Sequence, residues 1–212
     1  MNKWSAQEMA QRLARDIEPG WYVNIGIGMP ERVAEFVREE DDIVLQSENG
    51  ILGMGPVATG DDVDTDLINA GKKPITARIG AAFFEHTTSF AMMRGGHLDL
   101  CILGAFQVSE DGDLANWSLG KPGVAPAVGG AMDLAVGAKR VFVLMEHTTK
   151  DRMPKILPRC TLPLTGRGVV TRIYTDIAVL ERRENRMHVI DLAPGVTFEE
   201  VQELTGVKLL PS

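Results

Sequence analysis

The chain's strongest chemical signal is a carboxylate set just past an apolar run. In Leu45-Gln46-Ser47-Glu48-Asn49-Gly50, Glu48 follows the β-prone residues 43–46 and sits between a serine and an Asn-Gly pair. Glycine in that place permits a tight turn with positive φ that presents the neighbouring side chain outward. A glutamate so placed can act as a covalent nucleophile, although a solvated turn would use the same residues. Asn24-Ile25-Gly26-Ile27-Gly28 occupies the same kind of position after the preceding run. Gly26 and Gly28 would let a ligand approach the backbone and meet the start of a helix opened by Pro30. The segment lacks the third glycine and the acidic ribose partner of a dinucleotide fingerprint, and a plain strand-to-helix turn is the alternative. A third cluster runs from Gly120-Lys121 to Gly129-Gly130. Its glycines could expose backbone N–H donors to a developing oxyanion, or simply make a flexible loop.

The remaining candidates are weaker. Glu146-His147 follows an apolar run and is either an acid/base pair or a polar pair satisfying its own loop. His86, His97 and His188 are scattered without metal-ligand spacing. Lys72-Lys73 and residues 150–152 read as solvated faces that could meet phosphates.

These residues need elements to hold them. Ser5 and Glu8 form a capping-box signature for a first helix that stops at Pro19-Gly20. Residues 21–25 and 43–46 read as strands, with a helix from Pro30 to about Arg38 between them; this alternation points to an α/β sheet, mostly parallel. Residues 53–74, rich in Gly, Pro and Asp, read as an irregular excursion. A strand is expected over 74–79, a helix over 81–93 closed by Gly95-Gly96, buried strands over 98–103 and 140–145, and a helix over 129–137. Residues 169–174, 177–181 and 187–192 look like short antiparallel strands turning near Glu184-Asn185, and a final helix over 197–204 carries the Thr197/Glu200 capping pair.

Composition bounds the function. The 212 residues are 44% hydrophobic and 24% charged, enough for one large domain spanning 1–212. The net charge of −7 argues against nucleic-acid binding. An anionic substrate would therefore have to be met by local cations and backbone donors. Cys101 reads as a core residue, and the two cysteines suggest neither a disulfide framework nor a metal pair. Without an apolar run of membrane-spanning length or a leader-like N-terminus, the expected location is the cytoplasm.

Taken in order, the segments resemble family I coenzyme A transferases, specifically the B-type (beta) half of the 3-oxoacid and 3-oxoadipate enzymes. The carrying motifs are Asn24-Ile25-Gly26-Ile27-Gly28-Met29-Pro30, the block from Leu45 to Pro56 around Ser47-Glu48-Asn49-Gly50, and Asp66-Leu67-Ile68-Asn69-Ala70-Gly71. They continue with Met93-Arg94-Gly95-Gly96-His97-Leu98-Asp99, Leu114-Ala115-Asn116-Trp117, Gly129-Gly130-Ala131-Met132-Asp133-Leu134 and Cys160-Thr161-Leu162-Pro163-Leu164-Thr165-Gly166. The resemblance spans nearly the whole chain. It implies an open, mostly parallel α/β sheet with flanking helices and a few antiparallel C-terminal strands.

It also implies Glu48 as the nucleophile, Asn24 as a contact to the reacting acyl group, and Gly129 and Gly130 as oxyanion contacts. Gly26, Gly28, Ser47, Asn49, Gly50 and Lys121 are expected to bind CoA. The implied chemistry is ping-pong exchange through a glutamyl-CoA thioester, with CoA as a substrate carried covalently and no metal or other cofactor. The implied partner is an A-type (alpha) CoA-transferase subunit in an A2B2 heterotetramer. Residues 82–86, 104–109 and 112–117 look closer to transferases that move CoA from succinyl-CoA to 3-oxoadipate, with acetoacetate as the next candidate acceptor. A dicarboxylate would want a cation for its far carboxylate, and Lys121 or Arg152 could serve. A non-catalytic acyl-CoA-binding module and an acyl-CoA hydrolase are the alternatives in other classes.

Overall fold

The computed structural model describes residues 2–120 and 128–212. The chain starts with α1 (Ala6–Ala14), whose capping box forms: Ser5 Oγ accepts from the Glu8 amide at 3.2 Å and the Ser5 amide donates to Glu8 Oε2 at 2.7 Å. Then follow β1 (Tyr22–Ile25), a 3-10 helix (Met29–Phe36), β2 (Val44–Ser47), β3 (Ile51–Val57), β4 (Ile75–Phe83), α2 (His86–Arg94) and β5 (Leu100–Leu103). The second half holds β6 (Gln107–Ser109), β7 (Leu114–Ala115), α3 (Ala131–Gly137), β8 (Val141–Leu144), β9 (Ile156–Leu157) and β10 (Arg172–Tyr174). It ends with β11 (Ala178–Arg183), β12 (Arg186–Leu192), α4 (Phe198–Glu203) and β13 (Leu209–Pro211).

A ten-stranded sheet runs in the order β13-β12-β11-β10-β8-β5-β1-β2-β3-β4. Its centre, from β10 to β2, is parallel; both flanks then turn antiparallel, and β13 returns parallel to β12 at one edge. The central strands are continuous apolar runs because both faces are covered. Their alternation sorts side chains between two cores. Leu100, Ile102, Phe142 and Leu144 join Met9 and Leu13 of α1 on one face. Cys101, Leu103, Val141 and Val143 join Met93 of α2 and Leu134 of α3 on the other. From β1 the chain moves outward to β2 on one side, and later returns to β5 on the other side of β1. Such a reversal is where α/β sheets open a crevice beyond the strands' carboxyl ends.

The structure departs from the sequence reading at the β2 edge. Residues 53–74 were expected to be irregular and 81–93 helical. Instead β3 continues from the turn after Glu48, and residues 81–83 belong to β4, with Ile51 opposite Phe83 and Leu52 opposite Ala82. Pairing outweighs local helix propensity there, and α2 starts only at His86, where Glu85 caps the helix by accepting from the Thr87 amide. The helix expected from Pro30 is 3-10 in form. The helix expected from residue 129 begins at Ala131. The C-terminal antiparallel strands and the Thr197/Glu200 capping box form as read. The small β7-β6-β9 sheet and β13 had no expectation.

Glu48 thus leads a three-residue β2–β3 connection, a common hairpin form. Gly50 closes it, its amide donating to Ser47 O at 3.0 Å. Its φ is 113°, and a Cβ there would overlap the Phe84 carbonyl oxygen. Gly50→Ala should therefore cost at least about 1–3 kcal/mol from the strained backbone alone. Urea unfolding of the variant against the unmodified chain measures this; equal midpoints would mean that the turn is not held as described.

Candidate active site

The carboxyl ends of β1, β2, β5 and β8 open into one cleft of ≈1060 Å³. Asn24, Gly26, Gly28, Ser47, Glu48, Gly129 and Gly130 all line it. The structure therefore gathers most of the residues singled out from the sequence. Lys121 lies outside the described residues.

Glu48 is half-buried. Among the described residues its carboxylate accepts no hydrogen bond and forms no ion pair. Gly130 explains its position. A Cβ added there would overlap Glu48 Oε2 and lie 3.0 Å from the carboxyl carbon and 3.2 Å from Phe90 of α2. The carboxylate thus lies directly against the start of α3, with the Phe90 ring also against Gly130. Burial holds its pKa above the ordinary carboxylate value; His86 opposes this by its charge, and Asp133 adds to it. The first amides of a helix have no intrahelical partner, and Gly129, Gly130 and Ala131 at the start of α3 all line this cleft.

The β1–β2 register places Asn24 opposite Gln46. Asn24 is buried, and its Nδ2 donates to Gln46 Oε1 at 2.5 Å and Gln46 O at 3.2 Å. Gln46 Nε2 in turn donates to Ser89 Oγ on α2 at 2.7 Å. Losing any member would strand buried donors or acceptors, at about 1–3 kcal/mol. Both N–H groups of Asn24 are therefore engaged, so donation to an acyl oxygen requires releasing one of them.

Gly26 sits against β5: its amide donates to Ile102 O at 2.8 Å, and a Cβ would crowd that oxygen at 2.9 Å. Gly28, with φ 91°, starts the 3-10 helix, and its amide donates to Glu31 at 3.3 Å. Ser47 and Asn49 face the loop after β3. Ser47 Oγ accepts from the Ala70 amide at 3.0 Å, and Asn49 Nδ2 donates to Ile68 O at 2.7 Å. They staple the hairpin tip to that loop; Asn49 and Gly50 do not line the cleft.

Sequence reasoning missed Gln46, Ser89, Phe90 and Lys155. For Gln46 a signal existed: with Asn24 it is a polar residue inside an apolar run, on the face shared with Cys101. Glu146 reaches the cleft, but His147 does not pair with it. His147 is fully buried, with Nδ1 3.0 Å from Thr175 Oγ1 and Nε2 2.9 Å from Thr205 Oγ1. Burial pushes its pKa down to about 4. Among the described residues no cluster of three or more His, Cys, Asp or Glu could hold a metal ion, and no helix is long and apolar enough to cross a membrane.

Comparison with known proteins gives these residues a context. The family model described as Coenzyme A transferase matches residues 6–204. The chain is 55% identical over 208 residues to the B-type subunit of 3-oxoadipate CoA-transferase from Pseudomonas putida, covering 98% of this chain and 97% of that protein. It is 50% identical over 204 residues to the B-type subunit of a probable succinyl-CoA:3-ketoacid coenzyme A transferase from Bacillus subtilis, covering 96% and 94%. Its fold matches the crystal structure of the acyl-CoA transferase YdiF from Escherichia coli O157:H7 with a TM-score of 0.78 at 21% identity, covering 99% of this chain and 42% of that longer one.

His147 carries a pH consequence. The folded pKa lies near 4 and the unfolded one near 6.5, so between these values the unfolded chain binds the extra proton and stability falls as pH drops. The loss should reach about 2 kcal/mol between pH 7.5 and 5. Urea unfolding at the two pH values measures it, and His147→Asn should remove most of the slope; a variant that keeps the full slope would assign the effect elsewhere.

Proposed function

The chain belongs to the coenzyme A transferase family, and from that premise we propose that it is the nucleophile-bearing half of a two-subunit enzyme moving CoA from succinyl-CoA to 3-oxoadipate. One observation carries the proposal. Among the described residues Glu48 stands unpaired and half-buried at the carboxyl edge of a parallel sheet, against the glycine that opens α3.

Its chemistry would run in two halves. A Glu48 carboxylate oxygen attacks the thioester carbonyl, and the C–S bond breaks to give an acyl-glutamyl anhydride and CoA thiolate. The thiolate attacks the Glu48 carbonyl carbon, releasing the acid as its carboxylate and leaving CoA as a glutamyl thioester. An acceptor carboxylate then reverses both steps. Splitting the exchange this way replaces one hard step by easier ones. Each attack develops a tetrahedral oxyanion. The scheme gives amides of Gly129 and Gly130, which line the cleft, the task of meeting it, and one such donor is commonly worth about 10²–10³ in rate. Asn24, oriented by Gln46, takes the acyl-contact role, with Gly26 and Gly28 forming the adjoining wall. Partial burial of Glu48 strips water that would otherwise solvate the nucleophile and hydrolyse the intermediates. CoA serves as a substrate, with no separate cofactor in the scheme.

A second chain completes the reading. The relatives above carry a B-type designation in their names, and the YdiF chain is more than twice as long as the part this chain covers. We assign an A-type partner in an A2B2 assembly, at work in the cytoplasm. The identity to the Pseudomonas protein favours 3-oxoadipate as acceptor. The Bacillus relative supports a broader 3-keto-acid range with acetoacetate as the second reading.

Two experiments test this. The assembled enzyme incubated with succinyl-CoA alone should carry CoA on the Glu48 peptide by mass spectrometry, and Glu48→Ala should lower exchange by about 10⁴-fold or more. No adduct together with undiminished exchange in Glu48→Ala would end the proposal. Gly130→Ala keeps an ordinary backbone, since φ is −82°, but displaces the carboxylate. Exchange should fall about 100-fold with little change in melting temperature; full activity would mean that the Glu48–Gly130 contact is dispensable.

A further inference from the structure

Lys155 lines the main cleft just before β9, on the side where β8 ends in Met145 and Glu146. It is half-buried. Among the described residues its ammonium makes no hydrogen bond and no ion pair, whereas the cleft's Lys73 is tied to Glu31 at 2.9 Å. Its backbone is fixed on both sides, with its amide donating to His147 O and its carbonyl accepting from the Val108 amide. Glu146 beside it is exposed, so the acid that could neutralise it stands in water. Burial lowers the Lys155 pKa. Keeping a cation partly desolvated and unpaired costs free energy, and such groups collect at functional sites. Arg152, the other cation considered from the sequence, lies in a neighbouring depression rather than in this cleft.

We propose that Lys155 is an anion subsite of the cleft, taking an oxyanion of the substrate whose reacting end lies at Glu48. The assignment rests on the transferase reading above. Glu48 follows the end of β2, and the Lys155 backbone is bonded to His147 just past the end of β8. Three strand spacings separate those two strands, about 14 Å between backbones, and both side chains belong to residues that line the cleft. The oxyanion has two possible sources: the far carboxylate of a dicarboxylic acid, or a phosphate of CoA. Both would form a charge-assisted hydrogen bond with the ammonium.

The test uses the chain assembled with its A-type partner. Lys155→Met should raise KM about tenfold or more, the scale of one lost charge-assisted bond, and Lys155→Arg should recover most of it. A rise for 3-oxoadipate but not for acetoacetate assigns the far carboxylate. A rise for acyl-CoA but not for the matching acyl-pantetheine assigns a phosphate. No rise, or the same rise for acetoacetate and acyl-pantetheine as for the others, overturns the subsite. The Glu48–CoA adduct is scored in parallel. Its presence with an unchanged KM in Lys155→Met sinks the subsite alone, while its absence from the unmodified enzyme sinks the transferase reading. A measurement on the unmodified enzyme covers a variant that does not fold. Acylation of Lys155 by an amine-reactive ester, read by mass spectrometry, should slow at least about tenfold with saturating succinate or adenosine 3′,5′-bisphosphate. Protection by neither also overturns the proposal.

Discussion

A carboxylate that is partly buried yet unbonded is unstable in its place unless its surroundings leave it nowhere else to go. Among the described residues Glu48 is in that position, and most of the nearby structure can be understood as what holds it. Gly50 closes the hairpin behind it at a φ that other residues adopt with strain, against the Phe84 carbonyl. Ser47 and Asn49 staple the flanking backbone to the loop at Ile68 and Ala70. Gly130 lies directly against the carboxylate, with Phe90 beside that glycine. None of these contacts satisfies the carboxylate itself. The hydrogen bonds go to its neighbours, which leaves its oxygens unbonded among the described residues while fixing the chain that carries them.

The same division of labour extends below the site. Asn24, Gln46 and Ser89 place a row of buried polar groups on a sheet face otherwise occupied by Cys101, Leu103 and Val143. A fully satisfied polar row in a low-dielectric interior resists sliding. It ties β1, β2 and α2 together directly beneath the Glu48 turn. His147 does comparable work at the end of β8, where two threonines bracket its ring and its own amide donates to Asp176.

Electrostatics also work locally. The chain carries a net charge of −7, an unfavourable field for anionic thioesters at long range. The cleft itself is lined by glycine-rich turns and by the cations Arg32, Lys73 and Lys155. Most of the acidic excess sits on outer surfaces, as at Asp61, Asp62 and Glu199.

Much of this was legible in the residues alone. Both capping boxes, the apolar central strands and the positive-φ turn at Glu184-Asn185 follow from local rules that act within a few residues. The motif blocks single out Glu48, Asn24 and the Gly129–Gly130 pair with no knowledge of the fold. The hairpin edge was not legible, because β3 and β4 are created by partners far apart in the chain, from Val57 with Ile75 to Ile51 with Phe83, and that pairing overrides the helical pattern of residues 81–83. Nor were the roles of Gln46, Ser89 and Lys155. Whether a polar side chain is buried, bonded or left bare depends on which strand lies beside it and which helix lies above it. Sequence determined which chemical groups the chain carries and where its short elements begin and end. Tertiary structure decided which of those groups share a cleft and which are used up holding it, because burial and strand register are set by contacts far apart in the chain.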